Sequence, residues 1–141
     1  MPSIQIPYRL LLDDIDAAGV VFGPRLIAIA HRAVETALAG VGVDFAAILR
    51  EGRFALPIVK IEADFSAALR HGDEVTLDIS CARIGKGSFT IVSEIRTVKV
   101  VAAKIIQIHA VFDVVNQTGM ALPESVRQGV ARLHVDVSAA P

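Results

Sequence analysis

At 141 residues the chain has the size of one domain, residues 1–141, and its apolar fraction of 53% excludes a disordered polymer. That fraction also exceeds what a small monomer has to hide, so a homo-oligomer is expected. With 14 basic against 15 acidic side chains, a formal net charge of −1 and only 5% aromatics, no general attraction to nucleic acid or an anionic membrane and no base stacking is expected.

The opening MPSIQIPYR lacks the basic region and apolar stretch of a signal peptide, and no run approaches membrane-spanning length, so a soluble cytoplasmic protein is expected. Residues Ile4 to Leu12 read as a first strand, which ends where Asp13, Asp14 and Asp16 begin. The spacing predicts a helix from Pro24 to Ala39. Leu26, Ala30, Ala33, Val34 and Ala37 form one broad apolar face, and Ile29 intrudes on the polar arc, so cover on more than one side is expected. Pro24 suits the first helical position, and Gly40 and Gly42 stop the helix. A short second helix is expected over Phe45 to Arg50.

The period then changes to two. Ala55 to Ala67 reads as one long strand, in which Pro57 marks an edge or a bulge. His71-Gly72-Asp73 makes a turn into a strand from Glu74 to Arg83, with Val75, Leu77, Ile79 and Cys81 on its apolar side. Cys81 has no cysteine partner and reads as a buried thiol. Gly85-Lys86-Gly87 turns the chain into a strand from Ser88 to Thr97. Lys99 to Val115 supplies the last long strand, Asn116 to Gly119 a turn, and Pro123 to Val130 a weak helix. One long helix with strands in hairpin succession gives an α+β layer, the sheet's apolar face covering the helix.

The acids ahead of the long helix carry the chemistry. Residues just before a helix can aim backbone N–H groups at a bound oxygen while a carboxylate waits nearby, which suits attack on a carbonyl or ester. Acids at helix starts also serve as caps, and the pattern alone leaves both readings open. His109 and His134 have no partners at metal-ligand spacing and Cys81 adds none, so no metal is predicted.

Asp14-Ile-Asp16-Ala-Ala-Gly19-Val20-Val21-Phe22 resembles the signature block of the 4-hydroxybenzoyl-CoA thioesterase family of the hot-dog superfamily. Phe54 to Val59 with Ile61 to Phe65 resembles the family's second strand, and Leu69 to Val75 the turn after it, so the likeness spans about Pro7 to Val114. Phe54-Ala55-Leu56-Pro57, with Ala30 to Glu35 in the helix, is similar to the 1,4-dihydroxy-2-naphthoyl-CoA thioesterase branch. The resemblance implies the hot-dog fold, an antiparallel five-stranded sheet wrapped around a long central helix, assembled as a homodimer or homotetramer. It implies an acyl-CoA thioesterase with no cofactor beyond the coenzyme A of its substrate. An aromatic acyl group leads over a short or medium aliphatic one. A non-catalytic acyl-binding protein and a hot-dog dehydratase are the competing classes.

The family position of the catalytic carboxylate falls on Asp16, acting as nucleophile or as base, and Asp14 is read as structural. Gly23 falls where the oxyanion-binding amide is expected, although the family often carries Tyr or His there. Gly19, Phe22, His31, Pro57 and Val59 are the implied substrate-binding residues. His31 faces the ring of the acyl group or pairs with Glu35, and Pro57 is a rim element. A neighbouring subunit is expected to complete the pocket around Phe54 to Lys60. Arg70, Arg83 and Lys86 are candidates for the phosphates of coenzyme A, in a basic cluster thinner than the family's.

Overall fold

The structure, a computed structural model, describes residues 3–135. The first strand is β1 (Ile4–Arg9), after which Leu12–Asp14 form a single 3-10 turn rather than more strand. The long helix α1 (Gly23–Gly40) starts one residue earlier than predicted, so Pro24 is its second residue and Phe22 caps it in extended conformation. Pro24 has no N–H to satisfy in a turn where none has an intrahelical partner. Leu26, Ala30, Ala33, Val34 and Ala37 are buried as expected, and Ile29 and Leu38 join them, so α1 is covered on a wide arc.

Helix α2 (Phe45–Glu51) opens on Asp44, whose side chain accepts the Ala46 N–H at 3.0 Å, and ends on Gly52 in left-handed conformation. The predicted strand 55–67 is broken. Strands β2 (Phe54–Ala55) and β3 (Ile58–Phe65) flank Leu56-Pro57, because a proline cannot donate to a ladder. Then come β4 (Glu74–Ile84), β5 (Ser88–Arg96) and β6 (Val101–Ala110). The last predicted strand also breaks, into β6 and β7 (Phe112–Asp113), followed by β8 (Thr118–Gly119) and helix α3 (Glu124–Ala131).

The main sheet is antiparallel in the order β1-β4-β5-β6-β3 and wraps α1, the hot-dog arrangement. A small second sheet, β2-β7-β8, was not legible in the pattern. Alternation sends Val75, Leu77, Ile79 and Cys81 of β4, and Phe89, Ile91, Ser93 and Ile95 of β5, toward the helix. Burial pushes the Cys81 thiol up to about 11, the behaviour of an inert core cysteine.

Strand β3 differs from the rest. It pairs only with β6, slips register between Ile58 and Lys60, and leaves Val59, Ile61 and Phe65 exposed at 61%, 41% and 51%. Its outer backbone edge is unpaired among the described residues. Because the strands are antiparallel, the sheet has two distinct ends. The ends of β1, β3 and β5 meet the starts of β4 and β6 at one; the starts of β3 and β5 meet the ends of β4 and β6 at the other. The start of α1 lies at the first end, beside Phe65.

Candidate active site

The loop from Leu10 to Phe22 is held down by one buried acid. The Asp14 side chain is fully enclosed. It accepts from the Leu11 N–H (3.1 Å) and the Tyr8 hydroxyl (3.0 Å) on Oδ2, and from Arg25 Nε (2.8 Å) on Oδ1. Burial opposes its ionisation, but these three donors outweigh it and hold the carboxyl below the usual aspartate range. Burial and the neighbouring carboxylate push Tyr8 up. Asp14 is therefore a structural anchor, the role expected of it. Asp13 is exposed and pairs with the same arginine at 3.1 Å.

Asp16 follows with the opposite character. A tight turn places it: its N–H donates to the Val20 carbonyl (2.9 Å), and Gly19 N–H returns to the Asp16 carbonyl (3.0 Å). Gly19 has φ of 83°, a conformation costly for other residues, and nothing lies within 4 Å of where its Cβ would sit. The turn, not a crowded ligand, accounts for this glycine. The half-buried Asp16 carboxylate accepts the Ala18 N–H on Oδ1 at 2.8 Å, and its Oδ2 has no partner among the described residues.

Val21 N–H donates to the Leu69 carbonyl (2.8 Å), which ties this loop to the segment after β3. Between them opens a cleft of about 400 Å³ lined by Val20, Val21, Gly23, Leu26, Phe65 and Leu69, among others. The Phe22 carbonyl accepts the Arg25 and Leu26 N–H groups at 2.9 and 3.3 Å. Pro24 has no N–H, and Gly23 N–H has no acceptor among the described residues. One free amide at the positive end of α1 thus belongs to a cleft-lining residue. A Cβ on Gly23 would lie 3.4 Å from the Phe65 ring, so that ring fills the space where a larger side chain would stand. Asp16 itself does not line the cleft; it stands beside it, hydrogen-bonded to the lining Val20.

The remaining candidates fall into separate groups. Phe22, 55% exposed, caps α1 next to Gly23. Arg70 is exposed at the same end of the sheet, its N–H donating to Asp73. Arg83 and Lys86 are exposed around the β4–β5 turn at the other end, roughly 30 Å away by the length of β4. Arg127 of α3 fixes that turn by donating to the Gly85 carbonyl at 2.9 Å. Within one chain these three cations do not converge. Pro57 and the exposed, bulged Val59 sit at the start of β3, away from Gly23.

A family model described as the thioesterase-like superfamily matches residues 10–130. The chain belongs to this superfamily. It is 34% identical over 135 residues to the 1,4-dihydroxy-2-naphthoyl-CoA hydrolase of Synechococcus sp. (strain CC9902), a match covering 92% of this chain and 90% of that protein. The corresponding hydrolase of Microcystis aeruginosa (strain NIES-843 / IAM M-2473) is 30% identical over 130 residues, covering 91% and 94%. In fold, the chain matches the crystal structure of a 1,4-dihydroxy-2-naphthoyl-CoA thioesterase from Synechocystis with a TM-score of 0.85, at 23% identity and covering 92% and 96% of the two chains.

In this thioesterase-like chain His31 does not turn to Glu35. Its Nδ1 lies 3.4 Å from Gln107 Nε2 on β6, and the same nitrogen is 2.8 Å from His109 Nε2. His109 Nδ1 in turn is 2.9 Å from the Leu56 carbonyl. Gln107 and His109 are each 1% exposed, and burial holds His109 below the usual histidine range. Sequence reasoning missed both. The available signal was alternation along β6, which puts Gln107 and His109 on the same inward face as Ala103 and Ile105. Among the described residues no cluster of His, Cys, Asp and Glu has the grouping of a metal site, and no single helix is long and apolar enough to cross a membrane.

Proposed function

We propose that the protein hydrolyses the thioester of an acyl-CoA carrying an aromatic acyl group, of the 1,4-dihydroxy-2-naphthoyl or 4-hydroxybenzoyl kind. The observation that carries this reading is the free Gly23 N–H of the cleft at the positive end of α1, with Asp16, one oxygen open, in the loop that borders the cleft through Val20. The thioester carbonyl docks on that amide, which holds negative charge as it develops on oxygen. Asp16 Oδ2 either adds to the carbonyl carbon, expelling the coenzyme A thiolate and leaving an anhydride for water to open, or takes a proton from the attacking water. The Phe65 ring, 3.4 Å from where a Gly23 Cβ would stand, gives that amide an apolar wall on one side. The aromatic acyl group is supported by the two hydrolases similar along nearly the whole chain.

A second copy of the chain completes the site. The unpaired edge of β3, with Val59, Ile61 and Phe65 exposed, is a template for antiparallel pairing with the same strand of another copy. Antiparallel pairing lays the start of one β3 beside the end of the other. The segment 54–60 of the second copy then faces the cleft at Gly23, and the turn bearing its Arg83 and Lys86 comes to the end where Arg70 already stands. The phosphates of coenzyme A are bound across that junction.

Release of free thiol from a panel of aromatic and aliphatic acyl-CoAs tests the proposal. Faster turnover of hydroxylated aromatic thioesters is expected. Binding of acyl-CoA with no thiol released would instead make the protein a non-catalytic acyl-binding protein.

A further inference from the structure

The chain His31–Gln107–His109 has one direction, and that direction decides what His31 offers. The Leu56 carbonyl can only accept, so His109 carries its proton on Nδ1 and donates it there. His109 Nε2 is then an acceptor and must be met by a donor, which assigns the nitrogen of Gln107 to the position 2.8 Å away. The second N–H of that amide reaches His31 Nδ1 at 3.4 Å, the long end of a hydrogen bond, and needs a lone pair there. His31 is left with its proton on Nε2. That atom has no partner among the described residues and is not enclosed, so its N–H is available. The His31 and His109 rings lie 19° from parallel with centroids 6.4 Å apart, and Phe89 stacks on the other ring at 5.1 Å, so the imidazoles are held in place as well as hydrogen-bonded.

We infer that Gln107 and His109 are positioning residues that lock His31 as an Nε2–H donor for an oxygen on the ring of the acyl group. This rests on the thioesterase reading for its substrate, but not for the tautomers. His31 follows Gly23 by about 12 Å along the helix axis, so an acyl group that runs along α1 from a thioester carbonyl at the first residue reaches the third turn. It also lies beside His109, which registers with Ile58 of β3, where the second copy is expected. A hydroxyl or phenolate oxygen on the far ring is the acceptor this donor fits. An unsubstituted alkyl chain gives it nothing.

Long-range proton–nitrogen NMR on the nitrogen-labelled protein above neutral pH reads both tautomers without substrate. The expected result is His31 protonated on Nε2 and His109 on Nδ1; a proton on His31 Nδ1 would overturn the inference. Gln107→Met keeps bulk and removes both amide donors. It should mix the His31 tautomers and raise KM for a hydroxylated aromatic acyl-CoA about tenfold, the loss of one hydrogen bond. KM for its unhydroxylated analogue should hold. Equal losses on the two substrates would make the cluster merely structural. If no acyl-CoA is hydrolysed by the native protein, the substrate assignment falls with the thioesterase reading, while the tautomer result still decides the positioning role.

Discussion

The carboxylate of Asp14 and the amide of Gln107 are both buried beside α1, yet their clusters end differently. Asp14 meets three donors from Tyr8, Leu11 and Arg25, and the cluster closes on itself. The Gln107 cluster starts on the Leu56 carbonyl and ends on an available N–H of His31. A closed cluster fixes a loop. An open-ended one presents a group. The same contrast recurs within the loop itself, where Asp14 is saturated and Asp16, two residues on, keeps one oxygen free. Neighbouring acids of identical chemistry are thus divided by their partners into a saturated anchor and a carboxylate with an open oxygen, the one proposed to react.

Exchanging the two acids for their amides sharpens that contrast most. Asp16→Asn should cost about 10²-fold or more in turnover, the scale for a positioned acid or base, with an unchanged melting temperature. Asp14→Asn should do the reverse in kind. It removes the buried charge that Arg25 Nε meets, leaving Arg25 only the exposed Asp13 as an ionic partner, and should lower unfolding stability by about 2 kcal/mol in a denaturant titration. The partial exposure of Arg25 keeps that below the cost of breaking a fully enclosed pair. Retained stability in Asp14→Asn would mean that the loop does not depend on its anchor.

The two clusters also fail at different pH. His109 is held below its unfolded value near 6.5, so the unfolded chain takes up a proton first, and stability should begin to fall as pH drops through about 6.5. Asp14 is held below its unfolded value near 3.9, so its contribution persists until pH falls through about 4. Unfolding followed against pH should show the upper loss removed in His109→Gln and the lower loss reduced in Asp14→Asn, where Asp113, also held low by the Asn116 N–H groups, still titrates. A single acid step, untouched by His109→Gln, would contradict the assignment of the upper one.

Much of this was legible in the sequence. The spacing of Leu26, Ala30, Val34 and Ala37 fixes the buried face of α1, and strict alternation over 75–81 fixes that of β4. The breaks at Leu56-Pro57 and between Ala110 and Phe112 were not, because continuous apolar character hides where a strand changes sheets. Arg70, Arg83 and Lys86 look like one basic set along the chain, but an intervening strand carries the latter two to the opposite end of the sheet. Local spacing says of His109 only that it has no partner at metal-ligand intervals. Its value lies in a tertiary partner on α1, which no local pattern reveals.

The proposed chemistry depends on the Gly23 amide, and a pair of substitutions isolates it. Gly23→Ala keeps the N–H and asks only that the Phe65 ring yield slightly, since the added Cβ stands 3.4 Å away. Gly23→Pro adds similar bulk and removes the N–H, at a helix position that tolerates proline and after Phe22, which is already extended. Turnover of an aromatic acyl-CoA, measured on folded samples of both, should stay near native for Gly23→Ala and fall about 10²-fold or more for Gly23→Pro, the loss of one oxyanion donor. Equal turnover in the two would contradict the role assigned to this amide.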